Sequence, residues 1–173
     1  MGTRSIIARP TEGGFAGRYC HWDGYPEGVG EAIMEIVARD GVDKACKVLL
    51  DDHYSWSALN SDQPDLAGIE KDYEAPYGSP PYMAYQVGND INVPGYGISH
   101  ADSQPDEYLT HDTAEEAWCE WGYVLHPHAL VVIKLNGENK SSWTAWEIPW
   151  GESIQNIWSQ AEALKNYLKG NLL

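Results

Sequence analysis

The sequence predicts an α+β fold, with an antiparallel sheet of about five strands and three helices in the order ββαα-insertion-βββα. Both ends of the chain carry alternating or β-branched stretches typical of strands. Three other stretches place apolar residues at helical spacing. An acidic segment rich in tyrosine and proline, residues 60–116, separates the two halves. We expect residues 1–173 to form a single domain, because this length fits one hydrophobic core.

The strands are predicted from side-chain alternation and from turn residues. Residues 4–9 and 15–22 flank the turn at 11–14 and are expected to pair as an antiparallel hairpin. Near the C-terminus, three further segments predict a meander: residues 118–125, 129–135 and 142–148. The middle segment is continuously apolar, which indicates a central strand buried on both faces. Asn136-Gly137 is a strong hairpin signal between the last two segments.

The helices are predicted from apolar stripes and from their end signals. The first covers residues 28–40 and stops at Gly41, and the second covers residues 42–52. The third starts at 152 or 153 and continues to Gly170. Its apolar residues keep helical spacing over four turns: Ile154, Ile157, Trp158, Ala161, Leu164 and Leu168.

Residues 60–116 read as an irregular acidic insertion. They hold twelve acidic residues against one basic residue, with six tyrosines and six prolines. Irregular segments of this length inside compact domains are usually functional or disordered, and the tyrosines argue against plain disorder. We expect an ordered cover with a strand at 82–87 and a contact surface between 73 and 108. Its tyrosines are candidate anchors for a partner: Tyr82, Tyr85 and Tyr96.

Composition restricts the partner and the compartment. The net charge is −15 and the sequence pI is about 4.5, which argues against direct binding to a nucleic-acid backbone or to an anionic membrane. No apolar run is long enough to span a membrane, and the N-terminus lacks the apolar run of a signal peptide. The three cysteines show no metal or disulfide spacing, which is typical of reduced thiols in a cytoplasm.

The connection at residues 19–30, between the second strand and the first helix, carries more chemically useful side chains than any other short segment. We take His21, Trp22, Asp23 and Tyr25 as candidate binding residues. The structural interpretation of the same residues is a turn in which His21 is half-buried and hydrogen-bonded to Asp23. The sequence contains no motif that identifies a catalytic residue, and it implies no particular cofactor.

A metal site is the alternative interpretation of the acid and imidazole groups. Residues two apart on a strand share a face, so His21 and Asp23 are candidate ligands of one ion. Asp52 and His53 are candidates to complete the site. Such a set suits a metal that activates water, although none of these residues has a recognised metal-binding spacing.

Two N-terminal motifs resemble a known family. Met1-Gly2-Thr3-Arg4-Ser5 and the later Tyr19-Cys20-His21-Trp22-Asp23-Gly24-Tyr25-Pro26 are similar to motifs of small uncharacterised proteins from tailed bacteriophages and their actinobacterial hosts. The segment 120–124 resembles, more weakly, a strand of such proteins. The resemblance covers about the first fifty residues. It implies a phage or prophage accessory protein that acts in the host cytoplasm, and it carries over no catalytic residue.

These observations lead to one functional hypothesis and its alternatives. The chain is expected to be a non-enzymatic phage accessory protein that binds a host protein, in host takeover or in defence against host immunity. The alternative is a small-molecule or nucleotide-binding protein, or a metal-dependent hydrolase, centred on His21, Asp23, Asp52 and His53. A narrower alternative is DNA mimicry, which requires acids spaced like phosphates on one face. The oligomeric state is not predicted.

Overall fold

The computed structural model describes residues 2–69, 74–76, 79, 90–135, 140–155 and 163–164. These residues form ten strands: β1 Ser5–Thr11, β2 Gly14–Cys20, β3 Ser55–Leu59, β4 Asp90–Val93, β5 Gly97–His100, β6 Leu109–Thr110, β7 Trp121–Leu125, β8 Ala129–Lys134, β9 Thr144–Pro149 and β10 Ala163–Leu164. They also form two short α-helices: α1 Glu31–Asp40 and α2 Val42–Cys46. A 3₁₀ turn, Lys140–Ser142, precedes β9.

All ten strands belong to one mixed sheet. Nine of them follow the order β10-β9-β8-β7-β1-β2-β3-β5-β4, and the short β6 pairs with β2 beside this path. The β1–β7 and β2–β3 pairs are parallel, while the other pairs are antiparallel. The predicted antiparallel sheet of about five strands with three helices is therefore wrong. The fold is dominated by its sheet, because strands too short to show an alternation extend it at both ends.

The hairpin and the meander are confirmed. β1 and β2 pair antiparallel from Ser5 opposite Cys20 to Thr11 opposite Gly14. β7, β8 and β9 pair antiparallel in sequence order. The predicted Asn136-Gly137 turn between β8 and β9 lies outside the described residues. The parallel junction between β1 and β7 joins the two halves of the chain, and alternation within a strand carries no information about such a partner.

The first two helical segments are confirmed, with wider turns at their ends. A π turn at Pro26–Gly30 leads into α1, which stops at Gly41 with a φ of 84°. α2 continues into a second π turn at Lys47–Asp52. This helical connection returns the chain to the sheet as β3, parallel to β2. The crossover explains why β3 pairs parallel to the strand that precedes it.

The predicted C-terminal helix is wrong as a continuous element. β10, which lies within the predicted helix, pairs antiparallel with β9, so its two residues have strand conformation. Residues 156–162 and 165–173 lie outside the described part of the chain. β9 would otherwise leave one row of backbone N–H and C=O groups unpaired, and pairing with β10 satisfies part of that row. This tertiary pairing overrides the helical spacing of the local sequence.

Two apolar clusters cover the two faces of the sheet. On one face, α1 and the following helical turn pack Ile33 and Leu50 against Ile7 and Tyr123. On the opposite face, a second cluster includes Ile6 and its neighbours on β7 and β8. β8 is buried on both faces, as its continuous apolar sequence predicts. The sheet end that contains β3, β4 and β5 is more polar and more exposed than the centre of the sheet.

Candidate functional site

The connection at residues 19–30 is fixed by backbone contacts to the core. The buried Tyr123 hydroxyl donates to the Gly24 carbonyl at 2.6 Å, and the Gly24 N–H donates to the Thr3 carbonyl at 2.8 Å. The Val29 N–H donates to the Asp23 carbonyl at 2.8 Å. Gly28 permits this approach, because a Cβ atom there would lie 2.1 Å from the Asp23 carbonyl oxygen. The connection is therefore rigid, and it holds its exposed side chains in fixed positions.

His21 contacts Tyr19 rather than Asp23. Its Nδ1 atom lies 2.7 Å from the Tyr19 hydroxyl, and its ring packs edge-on against Trp22 with 4.6 Å between centroids. Burial lowers the pKa of His21, and the nearby Arg4 and His100 lower it further, which favours the uncharged imidazole. The sequence-based expectation of a hydrogen bond between His21 and Asp23 does not match this geometry.

The candidate metal ligands have other partners. Asp23 has a φ of 55° and accepts a hydrogen bond from Tyr25 at 3.3 Å. His53 Nδ1 lies 3.0 Å from the Ser99 hydroxyl, and Asp52 pairs with Lys47 at 2.9 Å. Within the part of the chain that the structure describes, no three His, Cys, Asp or Glu side chains come close enough together to hold a metal ion.

The tyrosines proposed as anchors in the insertion separate into two groups. Tyr82 and Tyr85 lie outside the described residues, as does the strand predicted at 82–87. Tyr96 is buried, with 5% of its surface exposed, and its hydroxyl donates to the Asp40 carboxylate at 2.6 Å. Arg39 also binds this carboxylate through two nitrogens, each at 3.0 Å. Tyr96 therefore fastens the insertion to α1 and has little surface left for a partner.

Three exposed aromatic side chains stand on segments that meet at one end of the sheet, where β1 and β7 begin and β2 ends. Trp118 is 76% exposed, Trp22 is 48% exposed and Tyr25 is 41% exposed. We call this set the aromatic edge. Trp22 lies over the Gly2 backbone, where an added Cβ would meet the indole at 2.6 Å. Trp118 precedes β7 by three residues, and the segment between them lies beside the start of β1, since the Glu120 N–H donates to the Arg4 carbonyl at 2.8 Å.

Trp118 is the residue of this edge that the sequence did not indicate. Its alternation with Glu120 suggested an ordinary strand position. In the structure it ends a turn with a φ of 62°, a left-handed conformation that costs a bulky side chain about 1 kcal/mol or more. Four carboxylate side chains around the edge are exposed: Asp23, Glu27, Glu116 and Glu120. The edge thus combines exposed apolar rings with an acidic surround.

A groove opens on the polar part of the sheet, beside the connection. β2 pairs with β3 at Tyr19 and Cys20 and with β6 at Ala16 and Gly17, so the two strands meet the same edge of β2 on either side of Arg18. The groove between them has a volume of about 510 Å³. Its lining residues are Tyr19, Tyr54, Ser55, His100, Asp102, Ser103, Glu107, Tyr108 and Leu109.

Arg18 fixes one wall of this groove, the segment at residues 105–109. Its guanidinium is buried and donates to the carbonyls of Leu50, Glu107 and Pro105 at 2.9, 3.1 and 3.0 Å. The Tyr108 ring lies 3.6 Å from the guanidinium carbon, and the Tyr54 ring lies 5.0 Å from it. Burial lowers the pKa of Arg18, and the carbonyls and rings replace the water that the charge has lost.

Comparisons of the chain with models of known protein families, with curated proteins and with solved structures find no match. In the described part of the chain, no helix has the length and the apolar character needed to cross a membrane.

Proposed function

We propose that this chain is a non-enzymatic accessory protein that binds a partner protein through the aromatic edge. The observation that carries the proposal is Trp118, a tryptophan that is 76% exposed in a left-handed conformation. The exposed ring leaves a large apolar area in water, and a partner that buries it would gain the free energy of removing that area from water. The resemblance to phage proteins supports a host protein as the partner and the host cytoplasm as the compartment.

The chemistry of the edge supports a protein partner with a basic surface. Trp and Tyr are the residues that most often dominate binding free energy at protein interfaces, and each buries about 150–250 Å². The carboxylates around the edge would steer a basic surface toward it and would set its orientation. The net charge of −15 also attracts a basic surface, and it acts over a longer range than the carboxylates of the edge.

The edge replaces the insertion as the proposed contact surface. Tyr96 is buried, so the tyrosines of the insertion are not equivalent anchors. Trp22 and Tyr25 are exposed on a connection whose backbone is fixed by Tyr123, so little conformational entropy is lost when a partner binds.

Affinity capture from host lysate tests this proposal with single substitutions. We expect Trp118→Ala and Trp22→Ala each to reduce recovery of the partner by roughly tenfold or more, as is typical of interface hot spots. Ile91→Ala is the matched control, because Ile91 is 42% exposed but lies on β4, at the far end of the strand order from β7. Near-ultraviolet circular dichroism checks that each variant keeps the native packing. Equal recovery by all four proteins would refute the proposal.

A further inference from the structure

We infer that Tyr19 and His21 are positioning residues of the aromatic edge, which hold the Trp22 ring in the orientation that the partner binds. The inference rests on the proposed function, and it names two residues on which the Trp22 contact depends. Neither residue has to touch the partner, because both act through the Trp22 indole. An aromatic anchor that is fixed before binding raises the affinity, since less side-chain entropy is lost when the partner docks.

The backbone that carries these side chains is fixed by the sheet. Tyr19 lies in β2 and pairs with β1 on one side and with β3 on the other. Beyond the end of β2, the His21 N–H donates to the Trp56 carbonyl at 3.0 Å. The Trp22 N–H donates to the Ser57 carbonyl at 2.9 Å. The positions of the three side chains are therefore decided by their side-chain torsions.

One hydrogen bond orients the His21 ring. The Tyr19 hydroxyl lies 2.7 Å from His21 Nδ1. Arg4, which directly precedes β1, interacts with the same hydroxyl through its side chain. Because a guanidinium only donates, the Tyr19 oxygen accepts from Arg4, and the hydroxyl proton is left for His21. Arg4 and His100 also disfavour a positive charge on His21, so its Nδ1 atom stays available as the acceptor.

The oriented His21 ring supports the Trp22 indole. The two ring centroids lie 4.6 Å apart with their planes at 89°, which is a favourable edge-to-face contact. The indole also lies against the Gly2 backbone, where an added Cβ atom would be 2.6 Å from its Cε3 atom. The adjacent Thr3 carbonyl accepts from the Gly24 N–H at 2.8 Å, which ties this N-terminal segment to the connection. These contacts hold Trp22 in one orientation while 48% of its surface remains exposed.

NMR relaxation of the Trp22 indole N–H measures this positioning in the free protein. Tyr19→Phe removes only the hydroxyl, and His21→Asn keeps an amide oxygen as an acceptor but removes the ring. We expect both substitutions to make the indole more mobile on the picosecond-to-nanosecond timescale. Tyr25→Phe is the matched control, because it removes an exposed hydroxyl that donates to Asp23 at 3.3 Å on the same connection. An indole that stays as rigid in both variants as in the unchanged protein, or that is loosened equally in the control, would overturn the inference.

A double-mutant cycle with the captured partner tests whether Tyr19 acts through Trp22. We expect Tyr19→Phe to weaken binding of the partner roughly two- to tenfold, the factor that corresponds to the net contribution of one hydrogen bond. In a Trp22→Ala background, the same substitution should have no further effect. An equal loss in both backgrounds would overturn the inference, because Tyr19 would then affect binding without Trp22. Failure of the proposed function is a separate result, in which Trp22→Ala alone captures the partner as well as the unchanged protein does. The relaxation of the indole in the free protein still decides whether Tyr19 and His21 position it.

Discussion

Arg18→Met should destabilise the protein far more than its position on a strand indicates. The substitution keeps a long side chain but removes the charge and every N–H donor. Three carbonyls, those of Leu50, Pro105 and Glu107, then lose their partner. A buried unsatisfied carbonyl costs about 1–3 kcal/mol, and the loss of the Tyr108 contact adds roughly 1 kcal/mol.

Two effects reduce this cost. The bonds to Glu107 and Pro105 are only partly buried, so water can replace them in part. Methionine is also easier to bury than a guanidinium whose pKa is lowered by burial. We therefore expect a net loss of about 3 kcal/mol in the free energy of unfolding, which is a large fraction of the stability of an ordinary domain.

Urea denaturation followed by tryptophan fluorescence measures this loss. Arg9→Met is the matched control, because Arg9 forms an ion pair with Asp51 at 3.0 Å while its side chain remains 38% exposed. Such surface pairs contribute about 0–1 kcal/mol. Exchange of the backbone N–H groups at residues 106–109 should also become faster in Arg18→Met. If the two variants lose the same small amount of stability, the idea that Arg18 holds the groove wall is incorrect.

Two further predictions concern Asp40 and Trp118. The Arg39 guanidinium and the Tyr96 hydroxyl lower the pKa of Asp40 to about 2. The charged Asp40 network therefore stabilises the fold above about pH 4, and this contribution disappears as the pH falls toward 2. Urea titrations at several pH values should show a loss of about 1 kcal/mol that Asp40→Asn lacks, and parallel pH profiles would contradict this. Trp118→Gly should leave stability unchanged or raise it by up to about 1 kcal/mol, since glycine accepts a φ of 62°. A clear fall in its melting temperature would show that the tryptophan is held by packing.

The sequence was informative where a strand or helix was long enough to show its period. The pairs β1–β2 and β7–β8–β9 consist of strands of five to seven residues with clear alternation or continuous apolar character. β6 and β10 have two residues each, and no periodicity exists at that length. The parallel contact between β1 and β7 joins residues more than one hundred positions apart, and local pattern does not encode it.

The residues of the candidate site also divide into those that a local sequence pattern indicates and those that depend on distant contacts. Trp22 and Tyr25 were identifiable because they stand in a short connection dense in aromatic residues. Trp118 was not, because its exposure depends on a backbone turn that removes it from the strand. The role of Arg18 depends on carbonyls that are 32 to 89 residues away in sequence. In the sequence, Tyr96 cannot be distinguished from the other tyrosines of the insertion. Its structural role is shown by its hydrogen bond to Asp40.

Hydrogen exchange of the chain with and without its captured partner tests the central claim most directly. If the aromatic edge is the contact surface, binding should slow exchange at residues 20–25 and 115–120. Exchange at β4 should stay unchanged. Protection confined to β4 or to the groove wall at 105–109, with no change at the edge, would contradict the proposed function.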